Sequence, residues 1–393
     1  MNWLRKEKSE LRASLALAGI FALRMLGLFL ILPVFSIHAK SLSGGDQALL
    51  VGLALGIYGF VQACLHIPLG MLSDKYGRRP VVVLGLALFV LGAFIAASHD
   101  DLVWITVGRA IQGAGAISAA VTAWLADLTR EETRTRAMAM VGGSIALTFA
   151  LSLVVASPLH ESIGLDGMFN VMAFLGIGAL LIALFVVPEQ SKLSQTPFTA
   201  KFSEVFFNKD LLRLNVGVLV LHAAQIALFL TLPRLLARAD LPLSSHWQLY
   251  LPAVLISFAF MAPIIMMSEK RKRMKPAFIF GITAMLIAQL MMANFIGLPG
   301  LALAVLVYFV GFNILEAMQP SLVSRWASHA KGTALGIYNT TQSTGLFLGG
   351  LLGGWLLQNW GEASVFYACS AMIFAWLIIA SSMRELPQKP IQG

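Results

Sequence analysis

The sequence predicts an all-α membrane protein, with twelve transmembrane helices arranged as two pseudo-symmetric six-helix bundles. Three observations carry that expectation. Hydrophobic residues make up 58% of the 393 positions and charged residues 12%, more apolar surface than a soluble globule can bury. The apolar residues fall in runs near the roughly 20 residues a helix needs to cross a bilayer, separated by short polar links. A charged pattern also recurs: Ser73-Asp74-Lys75 returns as Ser268-Glu269-Lys270, and Arg136-Ala137-Met138-Ala139 has a counterpart at the same offset in Lys331-Gly332-Thr333-Ala334.

In chain order, a basic amphipathic lead from Asn2 to Arg12 precedes a first span from about Ser14 to Ser36. That run contains Arg24 and lacks a small-residue cleavage site, so it reads as a retained span rather than a signal peptide. Further spans are expected near 48–71, 80–97, 102–124, 136–157, 167–187, 211–236, 247–267, 277–296, 300–323, 332–356 and 363–383. The bundles then occupy 1–188 and 211–383, joined by a polar cytoplasmic linker, 189–210, with a surface helix around Phe198 to Phe207. A short cytoplasmic tail, 384–393, closes the sequence.

Bases crowd the links on one side. That side holds Arg5, Lys6, Lys8, Arg12, Lys75, Arg78, Arg79, Arg130, Arg134, Arg136, Lys192, Lys201, Lys209, Arg213, Lys270 to Arg273, Lys275, Arg325, Lys331, Arg384 and Lys389, whereas the other has Lys40, Arg234 and Arg238. The asymmetry places both termini in the cytoplasm; the membrane expected is the cell's inner membrane. It also accounts for the net charge of +9 without nucleic acid. Cys64 and Cys369 sit inside apolar runs and read as packed small residues. His38, His66, His99, His160, His222, His246 and His329 are dispersed, with no metal-ligand spacing. Gly108 to Gly113 lacks the following Lys-Ser/Thr of a phosphate-cradling loop. No enzyme and no cofactor is expected; a proton gradient is the energy source.

Ionisable residues inside spans are costly against lipid and therefore face a partner or a cavity. Arg24 and Arg109 are the bases so placed, and Glu316 is the acid. Asn313, Glu316 and Gln319 repeat at helical spacing, as do His222 with Gln225, Tyr58 with Gln62 and His66, and Tyr338 with Gln342. Such stripes imply a shared polar cleft. Glu316 is the candidate proton carrier, because a desolvated carboxyl can hold a proton, which arginine cannot release. His222 reads either as a second titrating group or as hydrogen-bonded packing. Arg24 can neutralise an anionic substrate, repel a cation, or pair with Glu316.

The stretch Gly70-Met71-Leu72-Ser73-Asp74-Lys75-Tyr76-Gly77-Arg78-Arg79-Pro80 packs charge into a link between two spans. Gly70 leaves room for a passing helix, Gly77 permits a turn other residues resist, and Arg78 can fork onto a carboxylate, with Asp127 at the end of the fourth span as its partner. These residues form a candidate conformational gate. The stretch resembles the signature loop of the major facilitator superfamily, Gly-x-Leu-x-Asp-x-x-Gly-Arg-Arg/Lys. Leu23 to Gly27 and Asn313 to Ala317 extend the similarity over nearly the whole chain, toward the YajR-type drug exporters.

The resemblance implies a transporter fold in which Asp74 meets the eleventh helix near Lys331 to Leu335. Gly108-Arg109-Ala110-Ile111-Gln112-Gly113-Ala114-Gly115 is similar to the family's fourth-span motif, whose arginine influences proton coupling; hydrogen bonding to backbone carbonyls is the structural alternative. Gly142, Gly143, Ser157 and Pro158 stand where exporters of the family carry their antiporter signature, with Ser157 replacing its glycine. Relatives of this type commonly carry a soluble domain after the last span; this sequence ends at Gly393.

The function expected is proton-coupled efflux of small amphipathic organic compounds by alternating access, in a monomer whose partners are the lipid bilayer, the substrate and protons. The alternatives are uptake or exchange of a small organic anion, suggested by Arg24 and Arg109, and a transport-inactive sensor or scaffold on the same fold.

Overall fold

A computed structural model describes residues 2–188, 202–271, 273–295, 297–327 and 330–384. The linker residues 189–201, the bases Lys192, Lys201, Lys272 and Lys389, His329, and 385–393 of the tail lie outside the described residues, as do the side chains of Arg5, Lys6, Lys8 and Arg134. The spans are built from helix, interrupted at 115–117 in the fourth. The helices are α1 Asn2–Leu30, α2 Leu32–His38, α3 Ala48–Tyr76, α4 Arg78–Ala97, α5 Leu102–Ala114, α6 Ser118–Leu128, α7 Glu131–Leu181, α8 Phe202–Phe206, α9 Lys209–Arg238, α10 Trp247–Lys270, α11 Met274–Asn294, α12 Leu298–Trp326, α13 Lys331–Trp360 and α14 Glu362–Ser381.

Among the described residues, nine helical stretches are long and apolar enough to cross a membrane. The other passes have local explanations. Within α7, Gly164 at φ 67° and ψ −176° interrupts the helix and divides it into two passes. Such a backbone conformation is open to glycine and strained for other residues. The fourth span is split into α5 and α6, and α13 is diluted by glycine and polar residues. The helices thus make twelve passes.

The fourth span corrects an expectation. An unbroken helix over 102–124 is predicted, but α5 ends at Ala114 and α6 begins at Ser118. The cause lies in the small-residue run Gly113-Ala114-Gly115. A Cβ on Gly113 would lie 2.4 Å from the Tyr58 carbonyl oxygen, and one on Gly115 would lie 2.4 Å from that of Gly85. Close packing draws the backbone out of helical register, and Arg24 Nη2 donates to the Gly115 carbonyl at 3.1 Å. Broken helix is tolerated at membrane depth where protein buries its polar groups.

The chain divides into two compact units, Met1–Asp46 with Ile57–Pro197, and Gln47–Gly56 with Phe198–Gly393. In the first, α1 packs along α7, and Leu17, Ile20, Leu86, Val121 and Trp124 are buried in its core. In the second, α9 is enclosed on nearly every face, and Gly52 and Gly56 of α3 lie backbone to backbone with Gly350 and Phe347 of α13. The Leu49 N–H donates to Gln358 Oε1 there at 3.0 Å. Each unit repeats one contact. Gly92 of α4 meets Gly108 of α5, and Gly281 of α11 meets Gly311 of α12, with backbones too close for a Cβ between them. Small residues allow this approach where no hydrophobic force drives helices together. Side chains such as Leu147, Phe174, Phe185 and Met266 point outward and exposed, as a lipid-facing surface requires.

Candidate functional site

In the first unit, Gly77 at φ 98° ends α3 and starts α4 in a single residue, which aims Arg78 back along the turn. Arg78 Nε donates to Asp127 Oδ2 at 3.0 Å, and Nη1 donates to Ser73 Oγ at 2.8 Å and to the Asp74 carboxylate. The arginine side chain is 11% exposed, against 18% for Asp127 and 49% for Asp74. Arg79 Nη2 donates to the Val187 carbonyl at 2.6 Å. Gly70 is a correction. Among the described residues, a Cβ there would meet Ala119 of α6 at 3.9 Å, ordinary contact that does not itself demand glycine.

Deeper in the same unit, Arg24 is fully buried beside Tyr58, Gln62, His66, Arg109 and Gln112, all buried. Arg24 Nη2 donates to the Tyr58 hydroxyl, and Gln62 Nε2 donates to the same oxygen at 3.0 Å. The guanidinium carbons of Arg24 and Arg109 lie 5.9 and 5.2 Å from the centre of the Tyr58 ring, within cation–π range. Arg109 Nη1 donates to Gln112 Oε1 at 3.1 Å, and Gln112 Nε2 reaches Met172 Sδ at 2.8 Å. Among the described residues, Arg24 Nε and Nη1 have no hydrogen-bond acceptor. Arg24 holds a carbonyl of the fourth span, at the break at Gly115.

The second unit holds the acid. Glu316 Oε2 lies 3.5 Å from His222 Nε2, the carboxylate 38% exposed and the imidazole 5%. His222 Nδ1 lies 3.0 Å from the Val218 carbonyl, which can only accept, so Nδ1 carries a proton. Gln342 Nε2 is 2.6 Å from His222 Nε2. Tyr338 and Gln225 are buried as well, and Asn313 Nδ2 donates to Ser257 Oγ at 2.7 Å. Gln319 and Gln289 are fully buried, and their side-chain amides lack a partner among the described residues. Ser257 and Gln289 escape a reading of the sequence, since a lone polar residue in an apolar run has no periodic signal.

Gly142 and Gly143 front open space, with no atom within 4 Å of the point where a Cβ would stand, whereas Ser157 is fully buried and Pro158 exposed. The histidines show the limit of spacing arguments. His38 and His160, dispersed in sequence, meet with Nδ1 and Nε2 2.8 Å apart. No group of three or more His, Cys, Asp or Glu among the described residues is placed to hold a metal. A second pairing missed from sequence is Glu10 with Arg130 Nε at 2.7 Å and Thr133 Oγ1 at 3.0 Å, which ties the basic lead to the start of α7. In the second unit, Glu269 accepts from Arg325 Nη2 at 2.9 Å.

Twelve helical passes with buried arginines in one unit and an acid–imidazole pair in the other are the form of a membrane transporter. The Major Facilitator Superfamily model matches residues 17–324 and 266–393, and the chain belongs to that family. It is 40% identical over 393 residues, 98% of this chain and 86% of the relative, to the inner membrane transport protein YajR of Escherichia coli (strain K12). It is 27% identical over 347 residues to the multidrug resistance protein MdtH of Photorhabdus laumondii subsp. laumondii, covering 85% of this chain and 84% of that one. Among solved structures, a D-xylose–proton symporter superposes with a TM-score of 0.76 at 16% identity, over 95% of this chain and 98% of that one. That likeness shows the fold. The protein is a multi-pass membrane transporter and not an enzyme.

Proposed function

We propose that this transporter exports small amphipathic organic compounds in exchange for protons by alternating access, from an inner membrane with both termini in the cytoplasm. The observation that carries the reading is the 3.5 Å approach of Glu316 Oε2 to His222 Nε2. With Nδ1 donating to Val218, Nε2 of a neutral imidazole has one lone pair; Gln342 Nε2, an amide nitrogen that can only donate, lies 2.6 Å from it, and the carboxylate approaches the same nitrogen at 3.5 Å. The carboxylate gains from this approach only when a proton sits on the pair. In this reading the pair is where a proton is taken up and given back as the cleft opens to one side of the membrane and then the other. The similarity to a multidrug resistance protein supports an organic cargo.

Reconstituted vesicles with an imposed pH gradient test the reading. Lumenal pH is followed as lipophilic cations, neutral aromatics and organic anions are added in turn, with Glu316→Gln beside the wild type. Substrate-driven proton flux that vanishes in Glu316→Gln is expected. Protons that stay put while an anion still moves would remove the antiport reading. A second reading, exchange of a small organic anion, is favoured by Arg24: its guanidinium is fully buried, and Nε and Nη1 find no acceptor among the described residues. Leaving donors of a buried charge without acceptors costs about 1–3 kcal/mol or more.

A further inference from the structure

A cavity of about 350 Å³ opens in the second unit where α9 begins and α14 ends, lined by Asn208, Lys209, Asp210, Arg213, Ser382 and Arg384. None of these residues belongs to the Glu316 cluster. Every lining residue has a polar or charged side chain, and the charges do not cancel. Asp210 is the one carboxylate among the described lining residues, and Arg213 Nη1 holds it at 2.9 Å. Lys209 and Arg384, both exposed, leave the cavity positive. The end of α9 is not the source of attraction, because Asn208 Oδ1 already accepts from the N–H groups of Asp210 and Leu211. Lys275 Nζ donates to the carbonyls of Ser381 and Met383, each at 2.7 Å, and so fixes the turn that carries Arg384 to the rim.

Beside this basic cavity the surface is apolar. Phe206 and Phe207 precede Asn208, with ring centroids 5.1 Å apart, and Phe207 is 73% exposed; Leu212, one turn into α9, is 45% exposed. Free phosphate uses the cations and leaves the aromatic edge idle. A phospholipid uses both. We propose that the cavity is a headgroup site for an anionic phospholipid, with phosphate against Lys209 and Arg384 and acyl chains along Phe206, Phe207 and Leu212. Basic clusters at the ends of membrane helices attract anionic lipid, and exposed aromatics settle at the level of the headgroups. The site depends on neither the direction nor the coupling of transport.

Native mass spectrometry of the full chain in detergent tests it, with phosphatidylglycerol, phosphatidylcholine and inorganic phosphate added separately. Wild-type protein is expected to retain phosphatidylglycerol over phosphatidylcholine, with the excess falling roughly fivefold for each base neutralised in Lys209→Gln and Arg384→Gln. Phe206→Ser with Phe207→Ser lowers retention of the lipid. Equal retention of the two lipids by the wild type overturns the proposal without any variant, and so does an excess that survives the double Lys209→Gln, Arg384→Gln change. If inorganic phosphate displaces the lipid and the phenylalanine changes have no effect, the site binds free phosphate and the lipid assignment falls.

Discussion

The Tyr58 hydroxyl accepts from both Arg24 and Gln62, and the backbone carbonyl of the same residue presses on Gly113 where the fourth span breaks. One tyrosine thereby connects the buried guanidinium to the irregular backbone that helps hold it.

Gly113 should therefore be intolerant of substitution. A methyl group in Gly113→Ala meets backbone, which cannot rotate away, and such overpacking costs about 1–3 kcal/mol. The expected result is a lower apparent Tm in detergent. Gly142→Ala, which faces open space, should hold or raise Tm, because alanine favours helix by roughly 1 kcal/mol. Equal melting of the two variants would dismiss the packing argument.

The two carboxylates on Arg78 should differ. Asp74 is half exposed, and an exposed pair contributes about 0–1 kcal/mol, so Asp74→Asn should fold and insert normally. If the turn acts as a gate, transport falls with expression unchanged. Asp127 is the more enclosed partner, and Asp127→Asn should lower both transport and Tm. Full transport by Asp74→Asn would take the gate role away.

In the proposed proton-loading scheme, His222 and Gln342 are expected to rank below Glu316. Gln342→Leu removes a contact to the imidazole and is expected to weaken substrate-driven proton flux, whereas Glu316→Gln abolishes it. Flux assays on both variants at matched protein density decide the order; a more severe defect in Gln342→Leu would displace Glu316 as the carrier.

Orientation is checked by labelling. In a variant without Cys64 and Cys369, a cysteine at Lys40 should react with an impermeant reagent outside the cell, and one at Lys270 should not. The reverse pattern would invert the membrane topology.

Much of this protein is determined by sequence alone. Run length and composition are enough for the all-α membrane class, because a bilayer accepts apolar helices whose backbone is satisfied internally. The turn at Gly77 and the acid at Glu316 are legible for a similar reason: a charged or glycine-bearing position in or beside a span has few alternatives. Only the tertiary structure decided the partners. Arg24 takes the Gly115 carbonyl across 91 residues, His38 finds His160 across 122, and Glu10 finds Arg130 across 120. Hydrogen bonds act over a few ångströms of space, and helix packing chooses which distant residues occupy them. The same packing gives Gly70 only an ordinary contact with Ala119 among the described residues and breaks the fourth span where hydropathy alone runs through.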